Sequence, residues 1–308
     1  DATFNAEDSL DITGSLTFGT GASARINDAR GGIEIDGTVT IGDNANEVIF
    51  ERTGTFNGIV DIGNNAIVQF AEGGNFTSTF NSTVNTGNGS FVRFQEDAIF
   101  NDVLTTGISS RTWFAEDNGH TYFNANVELG ANSNNEFHDD VTATNGSNSL
   151  LITFGNNSIN LFDRHVGTFD DILLDPGASV TFNNGGNSYN DITLSRFNTL
   201  ELDHNNLSTV TGVFEVNVPC NEWNIVRSSL LGDRAEVSFS SAQIWTNVVV
   251  QDLQVRETLT GTELEITAGV NLRNLEDTDG ADPTITIVPE PRREFYWTSG
   301  GGDGLWSN

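Results

Sequence analysis

The sequence predicts an all-β fold: a right-handed parallel β-solenoid (β-helix) with about 22 residues per coil. Two observations lead to this prediction. Apolar residues recur in register at a nearly constant period, and apolar and polar residues alternate within each repeat. Such alternation is typical of a strand with one buried face, and no 3.6-residue helical pattern competes with it. Glycine and asparagine recur at fixed places in the repeat, where they supply turns between short strands.

Two apolar columns define the repeat and predict the core. Position 0 is occupied in nine successive repeats by Ile12, Ile35, Phe56, Phe80, Phe100, Phe123, Thr144, Phe169 and Tyr189. Position 14 is occupied by Ile26, Ile49, Phe70, Phe94, Phe114 and Phe137. In a solenoid, equivalent residues stack about 4.8 Å apart along the axis, so both columns are predicted to point inward. A right-handed coil is expected because parallel crossovers are overwhelmingly right-handed.

Two further columns mark the turns. Position 1 is most often asparagine, and position 7 is glycine in six successive repeats, Gly19, Gly42, Gly63, Gly87, Gly107 and Gly130. An asparagine at a turn tolerates a left-handed backbone, and its amide can hydrogen-bond the next asparagine along the axis. Glycine is expected where the turn leaves no room for a Cβ atom.

The repeat pattern divides the chain into three predicted parts. Residues 1–218 carry the phenylalanine–asparagine coils. Residues 219–288 continue the alternation with a different repeat pattern, and we expect about three more coils there. Residues 289–308 contain a Pro-x-Pro sequence, paired arginines and a glycine-rich run, which are typical of a linker. Without an initiator methionine or a signal peptide pattern, the chain is expected to be the interior of a longer precursor.

The composition argues against several classes of partner. The chain has 43 acidic residues and 13 cationic ones, all of them arginine, and its formal net charge is −30. Nucleic acids and anionic lipids would be repelled by this charge. No apolar run approaches the roughly 18 residues of a membrane helix. The single cysteine, Cys220, excludes an intrachain disulfide.

Position 16 is chemically unusual because six consecutive repeats place a carboxylate there. Its occupants are Asp28, Glu51, Glu72, Glu96, Glu116 and Asp139. Carboxylates about 4.8 Å apart repel by roughly 0.9 kcal/mol per pair even at the dielectric constant of water. Two interpretations stay open. The column is either a solvated edge that blocks lateral aggregation or a ridge that binds cations such as Ca²⁺.

Three other residues are candidate sites. Asp277 and Asp279 stand in Asp-Thr-Asp-Gly, which resembles the start of a Ca²⁺ loop, although Val288 falls where an EF-hand requires glutamate. A plain turn is the alternative for this segment. Ser9, between Asp8 and Leu10, fits the short O-glycosylation pattern of Bacteroidota.

No catalytic residue is predicted. Lysine is absent, and the four histidines share no column. Arg93 and Arg111 fall at different positions of the repeat, so that arginine is thinly spread. General acid–base or nucleophilic catalysis requires such groups to converge on one face. Apart from Ca²⁺, no cofactor is expected.

The end of the chain, FYWTSGGGDGLWSN, resembles the junctions between repeats of giant surface proteins of Bacteroidota. In that family the junction leads to Asp-x-x-Phe-(Asn/Asp)-Ala, and this chain begins with DATFNA. The segments CNEWNIVRSS and WTNVVVQDLQV are similar to the ends of those repeats. The resemblance implies export by the type IX secretion system, a place on the bacterial cell surface and a role in adhesion, including gliding motility. The chain shows no type IX sorting domain, so export is implied by the family alone.

These observations predict a structural repeat unit of a long extracellular adhesin or fibre, which acts as a rigid stalk or surface-binding rod. Its expected partners are neighbouring repeats of the same chain or fibre, and surface polysaccharide, with no nucleic acid and no membrane insertion. Two alternatives stay open: a carbohydrate-active β-helix enzyme, and a self-assembling sheath or filament subunit.

Overall fold

The chain folds as a β-solenoid. The computed structural model describes residues 2–6, 9–28, 31–72, 74–116, 119–146, 149–164, 167–183, 185–219, 222–256, 264–267, 270–273, 276–277 and 285–288. These residues form strands β1 to β37 and contain no helix, so no membrane-spanning helix is found among them. The strands pair in parallel with their counterparts one coil earlier and one coil later. The predicted fold class is therefore confirmed.

Each coil contributes a strand to three walls. Wall 1 consists of β2 (Leu10–Ile12), β5 (Ile33–Ile35), β8 (Gly54–Phe56), β11 (Thr77–Phe80), β14 (Asp97–Phe100), β17 (His120–Phe123), β20 (Asp140–Ala143), β23 (Thr168–Leu174), β25 (Ser188–Leu194), β27 (Leu207–Val210), β30 (Ala235–Phe239), β33 (Leu253–Val255) and β36 (Glu276–Asp277). Wall 2 consists of β3 (Leu16–Phe18), β6 (Val39–Ile41), β9 (Val60–Ile62), β12 (Val84–Thr86), β15 (Leu104–Thr105), β18 (Val127–Leu129), β21 (Leu151–Phe154), the second halves of β23 and β25, β28 (Phe214–Asn217), β31 (Gln243–Thr246), β34 (Leu264–Thr267) and β37 (Ile285–Val288).

Wall 3 is a separate sheet of 13 strands. It consists of β1 (Ala2–Ala6), β4 (Ser23–Asp28), β7 (Glu47–Phe50), β10 (Ile67–Phe70), β13 (Phe91–Phe94), β16 (Arg111–Phe114), β19 (Asn134–Phe137), β22 (Ile159–Asp163), β24 (Ser179–Asn183), β26 (Thr199–Leu202), β29 (Asn224–Ser228), β32 (Val248–Gln251) and β35 (Val270–Arg273). Walls 1 and 2 form one 24-stranded sheet because β23 and β25 each span both walls.

Two interlocking stacks of aromatic rings fill the interior. The stack on wall 3 contains Phe50, Phe70, Phe94, Phe114, Phe137, Phe162 and Phe182, with ring centroids 4.2–5.4 Å apart. The stack on wall 1 contains Phe56, Phe80, Phe100 and Phe123, at 5.0–5.2 Å. Rings of one stack meet rings of the other edge-to-face, so each is held by the offset and perpendicular contacts that aromatic pairs prefer. All of these rings are at most 1% exposed, which confirms the predicted core.

At position 0 the prediction of Thr144 is wrong. Ala143 pairs with both Phe123 and Phe169 and is fully buried, so it occupies the column. The missing ring is compensated within the same coil by Phe154, which is fully buried at the end of the wall 2 strand. Its ring meets that of Phe162 edge-to-face at 6.1 Å.

At position 14 the prediction of Ile49 is also wrong, since Phe50 pairs with both Ile26 and Phe70. This coil has one extra residue, the exposed Asn46, in the corner before β7. The insertion shifts every later position of that coil by one.

The position 1 asparagines form a hydrogen-bonded ladder along the corner between walls 1 and 2. The side-chain amides of Asn57, Asn81, Asn101 and Asn124 each donate to the oxygen of the preceding member, the first being Asp36, all at 2.8 Å. Successive partners in the asparagine ladder are 24, 20 and 23 residues apart, so corners of different length keep the register. The predicted hydrogen bonds are confirmed, but these asparagines do not have positive φ.

A left-handed residue recurs in the corner between walls 2 and 3, at position 9 in six coils and at the equivalent corner position in the next three. Its occupants are Gly21, Asn44, Asn65, Gly89, Ser109, Asn132, Asn157, Gly177 and Phe197, with φ between 54° and 78°. The position 7 glycines meet a different demand, because the coils stack too closely there. A Cβ on Gly87 or on Gly107 would lie 2.4 Å from the backbone of the coil below. Glycine is thus required for close stacking and not for its φ.

The three walls continue through the segment with the changed repeat pattern. Strand β26 pairs with β29, β27 with β30, and β28 with β31, all in parallel. Trp245 is fully buried in this part, and its indole Nε1 donates to the carbonyl oxygen of Phe214 at 2.9 Å. The division at residue 218 stays a prediction about sequence pattern, and the 289–308 linker lies outside the described residues.

Candidate functional site

Four acids of position 16 follow the wall 3 strands at the same distance along the chain. Each lies two residues after a phenylalanine that ends a wall 3 strand, and these phenylalanines are in register. The four acids are Glu72, Glu96, Glu116 and Asp139, which we call the acid ladder. Asp28 ends β4, and its side chain lies outside the described residues.

Glu51 does not belong to the acid ladder. The extra residue of its coil places Glu51 directly after Phe50, so that Arg52 takes the ladder position. At the other end, Arg164 lies two residues after Phe162, which is in register with Phe137. The acid ladder is therefore flanked by an arginine in the coil on each side.

Arg25 joins Glu51 to the start of the acid ladder. Its Nη1 hydrogen-bonds Glu51 and also donates to Glu72 Oε2 at 2.7 Å. The hydrogen bond to Glu51, with the nearby charge of Glu72, raises the pKa of Arg25. One guanidinium thus offsets part of the repulsion between acids of successive coils.

The expectation of a solvated edge is wrong for Glu96, which is only 7% exposed. The backbone of Gly119 lies directly against it, since a Cβ on Gly119 would be 2.3 Å from the carbonyl carbon of Glu96. The other three members of the acid ladder are half-buried. The corner after β16 is longer than the corner after β13, and its last residue, Gly119, lies against the coil below.

No three His, Cys, Asp or Glu side chains come together in a way that could hold a metal ion in the described part of the chain. Cation binding by the position 16 acids therefore stays a prediction. Asp277 lies in β36 with its side chain outside the description, and Asp279 lies outside the described residues. Ser9 is exposed, and its glycosylation stays a prediction.

The end of the acid ladder opens into a small polar groove of about 200 Å³. It is lined by Glu116, His138, Asp139, Asp163 and Arg164. Carboxylates, an imidazole and a guanidinium thus meet on one surface. The imidazole of His138 also lies 3.6 Å from Glu136 and meets the Trp113 ring edge-to-face at 5.8 Å.

Beside this groove, the outer face of wall 3 carries a cluster that we call the arginine–aromatic patch: Phe91, Arg93, Arg111 and Trp113. Register pairing sets Phe91 beside Arg111 and Arg93 beside Trp113, so arginines and rings alternate in a square. The guanidinium carbon of Arg93 lies 4.6 Å from the centroid of each ring. That of Arg111 lies 5.4 Å from Phe91 and 4.7 Å from Trp113.

Sequence reasoning missed this patch because it compared repeat positions one column at a time. Arg93 and Arg111 occupy different columns but lie on neighbouring strands. The available signal was Phe-x-Arg followed one repeat later by Arg-x-Trp, since residues two apart in a strand share a face.

Comparisons with family models, with curated proteins and with solved structures find no match to this chain.

Proposed function

We propose that the chain is a structural repeat unit of a long extracellular surface adhesin or fibre, in which it acts as a rigid, surface-binding rod. The observation that carries this proposal is the continuity of the core. The same three walls run from β1 to β37, and the two ring stacks interlock across successive coils. Each coil contacts its neighbours above and below, which is the arrangement of a quasi-one-dimensional repeat protein.

Such a rod resists bending because each coil is held to the next by parallel strand hydrogen bonds, stacked rings and side-chain ladders. The glycines of position 7 bring successive backbones into direct contact, and the asparagine ladder hydrogen-bonds successive coils to each other along one exposed corner. The mechanism is mechanical: the rod extends a side-chain surface away from its point of attachment. The similarity of the chain ends to Bacteroidota repeat junctions supports tandem joining of such rods at the surface of cells.

The location is tested by immunolabelling. Antibodies raised against the purified 308-residue chain should label intact source cells as strongly as permeabilised ones, since the epitopes are proposed to lie outside the cell. An antibody against a cytoplasmic protein is the control and should label only permeabilised cells. Labelling by both antibodies only after permeabilisation would contradict an extracellular rod.

The second candidate function is a carbohydrate-active enzyme, and the polar groove at Glu116, Asp139 and Asp163 favours it. A pair of carboxylates facing a bound sugar can serve as general acid and general base. Incubation with a panel of algal and host polysaccharides, followed by chromatography of released sugars, tests this alternative. Release that persists in wild type and disappears in Glu116→Gln and Asp139→Asn would replace the rod proposal with an enzymatic one.

A further inference from the structure

The arginine–aromatic patch has features that a purely structural role leaves unexplained. Arg25, Arg111, Arg196, Arg227 and Arg256 each pair with at least one glutamate. Arg93 has no carboxylate within ion-pair distance among the described residues, although the chain contains 43 acids. Its guanidinium rests on two aromatic rings instead.

Two donors inside the patch also have no acceptor. Arg93 Nε and Trp113 Nε1 are enclosed, and neither has a hydrogen-bond partner. Leaving buried donors unpaired destabilises a fold, so stability alone would favour paired or apolar side chains on this face. The remaining guanidinium nitrogens of Arg93 are the natural donors for an acceptor that comes from outside the chain.

We propose that the arginine–aromatic patch binds a polysaccharide that contains uronic acids. This inference rests on the proposed function, because it names the ligand class of the surface that the rod extends. A guanidinium presents parallel N–H donors that match the two oxygens of a carboxylate. The rings of Phe91 and Trp113 meet edge-to-face at 4.9 Å, and both guanidinium groups rest on them, which holds the N–H donors in place. The four side chains lie on neighbouring strands of one sheet face, which suits an extended chain.

The surroundings of the patch favour a polymer with no more than one charge per sugar ring over a more densely charged one. Glu136 accepts from Arg111 Nη2 at 3.4 Å, and His138, whose ring meets that of Trp113, also lines the acidic groove. A uronate carries one charge on an otherwise neutral ring, so the carboxylate can reach Arg93 while the hydroxyl groups meet Glu136. Nucleic acid, with one charge per about 1.7 Å of duplex, would be repelled by a chain of net charge −30.

Isothermal titration calorimetry of the whole chain with polygalacturonate, a neutral mannan and a sulfated galactan tests the proposal. The buffer contains 0.5 M NaCl, where the Debye length of about 4 Å screens the distant acids. Wild type is expected to bind polygalacturonate at least tenfold more tightly than either other glycan. Arg93→Gln and Trp113→Ala should each weaken that binding at least tenfold. Arg93→Lys should weaken it too, since it keeps the charge but loses the planar fork.

The matched control is Arg227→Gln, which removes the same charge from the same wall, where Arg227 pairs with Glu201. It should leave the affinity unchanged, and circular dichroism should show that every variant retains its β structure. Equal losses in Arg93→Gln and Arg227→Gln, equal binding of mannan, preferred binding of sulfated galactan, or no binding at all would each overturn the proposal. If the protein is found on the cell surface but does not bind polygalacturonate, the ligand proposed for the patch is wrong and the proposed function still holds.

Discussion

At individual positions, the corner between walls 2 and 3 shows how strongly the backbone selects its residues. Eight of its nine left-handed occupants are glycine, asparagine or the small Ser109, and glycine and asparagine accept this conformation most readily. The ninth is Phe197, with φ of 57° and 56% of its surface exposed. A bulky residue in that region is strained, and exposure of the ring adds no compensating burial.

Replacing Phe197 by asparagine should therefore stabilise the protein. Relief of the left-handed strain is expected to add about 1 kcal/mol, or about 2 °C in melting temperature for a chain of this length. Thermal denaturation followed by circular dichroism measures the shift. The reverse change at an equivalent corner, Asn132→Phe, should destabilise by a similar amount. A Phe197→Asn variant that melts below wild type would show that the ring makes contacts that offset its strain.

Tyr189 gives the core a sensitivity to alkaline pH. It takes the place of phenylalanine at position 0, where its ring stacks on that of Phe169, and burial raises the pKa of its phenol well above the ordinary value near 10. Above pH 10 the unfolded chain releases this proton while the folded chain keeps it. The stability therefore falls as pH rises, by up to about 1.4 kcal/mol per pH unit.

Tyr189→Phe should remove this loss. Urea denaturation of both proteins at pH 8 gives the effect of deleting the hydroxyl alone. Between pH 10 and pH 11.5, the free energy of unfolding of the variant should increasingly exceed that of wild type as the pH rises. The absence of lysine leaves few other groups that titrate in this range. A difference that stays constant from pH 8 to pH 11.5 would contradict the assignment.

Within the ladders, one position repeated along the axis either adds or subtracts stability according to its chemistry. The asparagine ladder adds stability because each side-chain amide both donates and accepts a hydrogen bond, and each of these bonds is 2.8 Å long. The acid ladder has only acceptors, so its members repel unless a cation or solvent separates them. Arg25 donates to Glu72 at one end, and Arg164 lines the polar groove with Glu116 and Asp139 at the other.

Salt should distinguish the two interpretations of the acid ladder. If its repulsion is merely screened, NaCl and CaCl₂ at matched ionic strength should raise the melting temperature equally. If Ca²⁺ binds, millimolar CaCl₂ should give an excess, because a ligand of the folded state stabilises it by mass action. We expect equal shifts, since the acids do not converge as metal ligands among the described residues. A calcium-specific excess that disappears in the Glu116→Gln, Asp139→Asn double variant would show binding.

Along the whole molecule, the coils act as nearly equivalent layers. The 13 strands of wall 3, about 4.8 Å apart, give the sheet a length of about 60 Å. Because each coil contacts mainly the coils above and below it, a complete coil can be removed and the remaining strands of each wall can still pair in parallel. Half a coil cannot be removed, since every later strand would move to another wall.

Deletion of residues 101–123 should therefore leave a folded, shorter protein. It joins position 0 at Phe100 to position 1 at Asn124, so that the repeat continues in register. The variant should keep its β circular dichroism and a cooperative melt. The matched control, deletion of residues 101–112, removes half as many residues but breaks the register and should not fold. Equal tolerance of both deletions would contradict the layered architecture.

Much of this architecture can be predicted from the amino-acid sequence because stacking repeats the same environment in every coil. A buried wall demands an apolar residue each time, so Phe80, Phe100 and Phe123 recur and reveal both period and core. The hydrogen-bonded asparagine column is recognisable for the same reason. Fold class, inward columns and the corner ladder could therefore be predicted from the chain alone.

What needed the three-dimensional structure is everything that depends on neighbours in different columns. The insertion of Asn46 exchanges Glu51 for Arg52 in the acid ladder, and Phe154 replaces the volume missing at Ala143. The arginine–aromatic patch joins two strands whose repeat positions differ. A period reports contacts between equivalent positions along the axis. Contacts across the axis, and the small changes of register that create them, depend on corner length and packing, which leave no periodic signal in the sequence.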